Sequence, residues 1–149
     1  MCDPLRLNRW FRRGLYGVLT LMFLTGMIWL VADWKKSAPD GEMWQSMAAW
    51  LLMAHGGGAM ITLLLLGAIL PVHAYRSWRG RRNRTSGVIM VTMNAVLITT
   101  SFGLYYMGSE AIRPWLSDIH IGVGICLPIF LVAHILLGRR TASVGSSGS

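Results

Sequence analysis

Residues 46–75, SMAAWLLMAHGGGAMITLLLLGAILPVHAY, run without a single Asp, Glu, Lys or Arg. About 20 apolar residues, at about 1.5 Å each, carry a helix across the hydrocarbon core of a bilayer. This run is longer than that, so it predicts a membrane-spanning helix that tilts or projects. Three other runs behave alike. Residues 15–32 and 85–107 are uncharged, and residues 119–138 hold no acid or strong base. The first is only just long enough, and Tyr16 and Trp34 can anchor its ends. The chain of 149 residues is 54% hydrophobic and 13% charged, which leaves no room for a sizeable soluble domain. The expected fold is all-α, an integral membrane four-helix bundle over residues 15–138. A basic N-terminal segment, 1–14, precedes it and a small, polar, flexible tail, 139–149, follows.

The net charge of +8 resembles a nucleic-acid signal until its distribution is read. Arg6, Arg9, Arg12 and Arg13 precede helix one; Arg76, Arg79, Arg81, Arg82 and Arg84 lie between helices two and three; Arg139 and Arg140 follow helix four. These eleven of the fourteen basic residues fall on one side of the membrane. Lys35, Lys36 and Arg113 lie on the other, with five of the six acids. The positive-inside rule therefore predicts both termini in the cytoplasm, as an even number of spans requires. It also predicts a multi-pass protein of the inner (cytoplasmic) membrane whose constant partner is the lipid bilayer, with no role for nucleic acid. Trp34, Trp44 and Trp115 mark the outer boundary, and Trp10, Tyr75 and Trp78 the inner one.

The first apolar run is as long as a span and lacks a clean small-residue cleavage site, so it reads as a helix and not as a cleavable signal. Cys2 and Cys126 fall at the cytoplasmic end and within helix four, which predicts no structural disulfide; Cys126 reads as a buried apolar-like residue. Residues 108–117 read as an outer loop, with Pro114 suited to a helix start.

The chemistry concentrates in four histidines: His55 and His73 in helix two, His120 and His134 in helix four. The first two are 18 residues apart, and at roughly 100° per residue they return to one angular position. The second two are 14 apart, an offset of roughly 40°, still one face. Helices two and four run parallel, so His55 pairs with His120 near the outer surface and His73 with His134 near the cytoplasm. Two cross-helix imidazole pairs are what two six-coordinate haem irons require. No Cys-x-x-Cys-His occurs, so the two haems b are expected to be noncovalent. The rises along the two helices, about 27 Å and about 21 Å, differ by about one turn. Tilt of helix two, or distortion at Gly56, Gly57, Gly58 or Pro71, would absorb that difference.

A single histidine near a helix end is most often interfacial. Four confined to two parallel helices, with each pair on one face, fit that explanation poorly, and ionisable residues inside a membrane are functional candidates by default. Gly17, Gly26, Gly87 and Gly103 either make room for porphyrin or serve ordinary helix packing. Arg76, Arg79 and Arg113 either pair with haem propionates or set topology. Asn94, Thr99, Thr100 and Ser101 read as packing groups, with a quinone pocket as the alternative. The two halves also resemble each other. His55-Gly-Gly-Gly and His120-Ile-Gly-Val-Gly share a glycine two residues after the histidine, and each half ends in Gly-Arg-Arg, residues 80–82 and 138–140.

On His55, His73, His120 and His134 and the helix order, residues 15–138 resemble the membrane-bound b-type cytochromes. That broad group contains bacterial cytochrome b561 and the cytochrome b subunits of hydrogenases and formate dehydrogenases. Ligands on parallel helices two and four also resemble the respiratory cytochrome b pattern. The resemblance implies electron exchange with membrane quinone and a redox partner protein. It implies an electron-transfer subunit of a larger dehydrogenase or oxidase assembly, not a self-contained enzyme.

Two other classes compete. A non-haem scaffold or assembly subunit would use its histidines for packing and be colourless when purified. A transporter or ion channel is disfavoured because no Asp or Glu lies within a span. No nucleophile elbow, zinc motif or phosphate loop points to hydrolysis.

Overall fold

The computed structural model describes residues 9–39, 41–79 and 84–144, the side chains of 72–79 and 139–144 excepted. The described chain is helical, with no strand. It forms α1 (Arg9–Lys35), α2 (Gly41–Arg79), α3 (Arg84–Tyr106) and α4 (Arg113–Val144). Each helix holds a segment long and apolar enough to cross a membrane, of 27, 31, 23 and 26 residues in chain order. The shortest rises about 35 Å, enough for a hydrocarbon core of about 30 Å.

The helices outrun the apolar segments that predict them. Residues 9–14 belong to α1 and residues 113–117 to α4, so the outer loop is shorter than the sequence suggests. Residues 139–144, expected in a flexible tail, continue α4 instead. The backbone ladder does not stop where hydrophobicity stops: Arg is a good helix former, and no Gly or Pro intervenes between Arg139 and Val144. Pro114 takes the second position of α4, where its missing N–H costs nothing. Residues 56–58 are helical and Pro71 lies inside α2, so the helix assignment runs through both.

The chain divides at Leu70 and Pro71 into two units. In the first, α1 and α2 form a hairpin closed by a turn in which Ala38 N–H donates to Lys35 O and Gly41 N–H to Ala38 O. A Cβ at Gly41 would overlap the Lys36 carbonyl, so this turn requires glycine. Its seam follows the helical repeat. Met22, Thr25 and Gly26 share one face of α1, and His55, Gly58 and Thr62 share one face of α2. Thr62 Oγ1 donates to Gly58 O at 2.9 Å and lies 3.1 Å from Met22 Sδ across the seam.

In the second unit, α3 and α4 form a hairpin across residues 107–112, where Arg113 N–H donates to Ser109 O. Leu97, Thr100 and Gly103 of α3 meet Leu116, His120 and Gly124 of α4. A Cβ at Gly103 would fall 2.7 Å from Leu116 Cδ1, so this glycine permits close helix packing.

Among the described residues no large side chain is fully buried, and Leu64, Phe102 and Ile129 are at least 65% exposed. Such apolar exteriors suit helices whose solvent is lipid. The buried polar residues are Thr25, Thr62 and Thr100. Trp10, Trp34 and Trp115, expected at the boundaries, are exposed near helix ends, and Lys35 Nζ sits 4.6 Å over the Trp44 ring. Cys126 is exposed on α4, contrary to the burial expected of it; the groups that α4 turns towards α3 are Leu116, His120 and His134.

Candidate functional site

Each histidine whose side chain is described meets a hydroxyl from the helix that precedes its own. His55 Nδ1 lies 3.1 Å from Thr25 Oγ1. His120 Nδ1 lies 2.9 Å from Thr100 Oγ1. His134 Nδ1 lies 3.0 Å from Ser86 Oγ. All three imidazoles are half-buried.

A hydroxyl has one proton to donate. Thr25 Oγ1 lies 2.9 Å from Leu21 O and 3.0 Å from Met22 O, one turn back on its own helix. Thr100 Oγ1 lies 2.7 Å from Val96 O and 3.1 Å from Leu97 O. A threonine that gives its proton to its own backbone accepts from the histidine, and one that gives it to the imidazole donates to Nδ1; the distances at His120 suit either. His55 adds a constraint, because its Nδ1 also lies 3.0 Å from Met22 O. Only an N–H can satisfy that contact. The proton therefore sits on Nδ1 and the ring lone pair on Nε2. The Ser86 contact fixes the position of His134 Nδ1, with donor and acceptor interchangeable.

Backbone register brings these groups together. Ser86 and Thr100 are 14 residues apart on α3, and His120 and His134 are 14 apart on antiparallel α4. Equal spacing lets one hairpin hold both contacts. In the first hairpin Gly26 abuts the imidazole: a Cβ there would lie 3.4 Å from His55 Cε1. The remaining candidates divide. Gly103 serves helix packing, whereas a Cβ at Gly17 or Gly87 would meet nothing within 4 Å. Asn94 donates to Met90 O and Thr99 to Ala95 O, both on their own helix. Arg113 is exposed at the first residue of α4.

His73 is a residue of α2, but its side chain lies outside the described residues, as do those of Arg76 and Arg79. His55 belongs to the first unit and His120 to the second. The predicted pairings, His55 with His120 and His73 with His134, therefore remain expectations from helix direction. Among the described residues no group of three or more His, Cys, Asp or Glu converges. Axial coordination of one haem iron needs only two such ligands.

Thr25 and Ser86 carry no weight in the sequence reading. Their signal is faint: each is a hydroxyl on a helix that has no histidine, and its partner emerges only from hairpin register. Comparison with known proteins returns no match to any family model, curated protein or solved structure.

Proposed function

We propose that this chain is a transmembrane b-type cytochrome holding two haems, which transfers electrons between membrane quinone and a redox partner protein. It does so as a subunit of a respiratory or dehydrogenase complex in the cytoplasmic membrane. The observation that carries this reading is the common engagement of Nδ1. Metal-ligating histidines almost always give their other ring N–H to an outer partner, which fixes the tautomer. At His55 the Met22 carbonyl calls for that proton on Nδ1; with the same tautomer at His120, Nε2 would be the coordinating atom of both. The donor set fits haem: neutral imidazoles on rigid helices, held in a low-dielectric layer where a buried ionisable group otherwise has a cost.

His55 and His120 would hold the outer haem, and His73 and His134 the inner one. Haem iron, when bound, supplies a reversible one-electron couple. The chain would supply the rest: histidine ligands carried on helices, and apolar helix exteriors that exclude water. Arg113 outside, and Arg76 and Arg79 inside, are positively charged candidates for the propionates as well as for setting topology. The charge distribution supports cytoplasmic termini.

The test is reduction of the detergent-solubilised protein by duroquinol under anaerobic conditions. Appearance of reduced b-type absorption is expected. A haem-loaded protein that dithionite reduces and duroquinol does not would overturn the quinone assignment.

A further inference from the structure

We infer that Thr25 and Thr100 are positioning residues that hold His55 and His120 in the Nδ1–H tautomer and lower the reduction potential of the outer haem. The inference rests on the haem reading above and adds residues on the two helices that carry no ligand.

Three features support it. First, both hydroxyls are anchored before they meet the imidazole, each within bonding distance of two carbonyls one turn back. A hydroxyl that gives its proton to either carbonyl presents lone pairs to Nδ1, and at His55 the Met22 carbonyl on the same Nδ1 requires that arrangement. Second, both threonines are nearly closed off, at 7% and 5% exposure, so water does not replace them. Third, a buried threonine meets Nδ1 in each hairpin, at both histidines assigned to the outer haem.

The sign follows from ligand chemistry. An acceptor on Nδ1–H raises the donor strength of Nε2. A stronger donor favours ferric over ferrous iron, so the potential falls. Replacing the hydroxyl with an isosteric methyl removes the acceptor and raises the potential. For a one-electron couple, a tenfold change in the ferrous-to-ferric balance corresponds to 59 mV. At His55 the Met22 carbonyl remains after Thr25 is replaced, and it maintains the tautomer while one of two acceptors is lost.

The experiment compares Thr100→Val, Thr25→Val with Thr100→Val, and Thr100→Ser by potentiometric titration of the purified full chain. The valine variants are expected to raise one of two midpoints, by up to about 59 mV for a tenfold change, and Thr100→Ser to restore it. Haem loss in Thr100→Val with retention in Thr100→Ser also supports a positioning hydroxyl. Unchanged or lowered midpoints in both valine variants would overturn the inference, as would haem loss in the serine variant. Nitrogen NMR of histidine-labelled protein, in the reduced or the haem-free state, reads the tautomer separately. A proton on Nε2 of His55 or His120 in haem-free protein would also overturn it. A wild-type chain that binds no haem but shows Nδ1 protonated would reject the haem reading and keep the tautomer assignment.

Discussion

Gly26 offers a graded test of how closely α1 guards the His55 ring. A Cβ built on it falls 3.4 Å from His55 Cε1 and 3.6 Å from Nδ1. Carbon pairs rest at about 3.5–4.0 Å, so Gly26→Ala fits with almost no adjustment. Leucine adds three more carbons, the first ~1.5 Å beyond Cβ, where contact is already made. The ring must then give by roughly 1 Å. That movement breaks the 3.1 Å bond to Thr25 and the 3.0 Å bond to Met22 O. Overpacking costs about 1–3 kcal/mol, and each of the two lost hydrogen bonds about 1 kcal/mol. Expressed at the haem site, about 3–5 kcal/mol weakens outer-haem binding roughly 140- to 4,000-fold. Pyridine haemochrome assay of purified variants should give two haems per chain for Gly26→Ala and one for Gly26→Leu. A leucine variant with both haems and an unaltered spectrum would refute the close approach of α1 to the ligand.

Single substitutions His55→Ala and His120→Ala should delete the same spectral component, and His73→Ala and His134→Ala the other. A component shared by His55 and His134 would overturn the pairing. Gly103→Ala places a methyl 2.7 Å from Leu116 Cδ1, the movable end of its side chain, and should destabilise the α3–α4 hairpin by less than about 1 kcal/mol once alanine's helix propensity is counted. Leu116→Ala in the same chain should recover part of that loss in thermal unfolding; simple additivity of the two losses would contradict the contact. A fluorescent-protein fusion at the C-terminus should fluoresce and an alkaline-phosphatase fusion there should be inactive. The reverse pattern would contradict cytoplasmic termini.

Most of the fold is legible because bilayer thickness imposes a length on every apolar run. The uncharged stretches 46–75 and 85–107 locate α2 and α3 closely. Helix ends are less legible: hydrophobicity marks where lipid ends, whereas Arg9–Gly14 and Arg139–Val144 obey backbone hydrogen bonding, which continues beyond it. The histidines stand out in sequence because an ionisable group inside an apolar run is rare. Their partners do not. Thr25, Ser86 and Thr100 look like ordinary small polar residues, and their meaning depends on the register of each hairpin. Thr99 and Thr100 show the difference: adjacent and chemically identical, they bond the same helix backbone, yet only Thr100 faces His120.

The most direct measurement is the dithionite-reduced minus oxidised absorption spectrum of the purified chain, with its haem-to-protein ratio, after expression with ample haem supply. The account predicts b-type bands and about two noncovalent haems per chain. A colourless protein with no haem would contradict it.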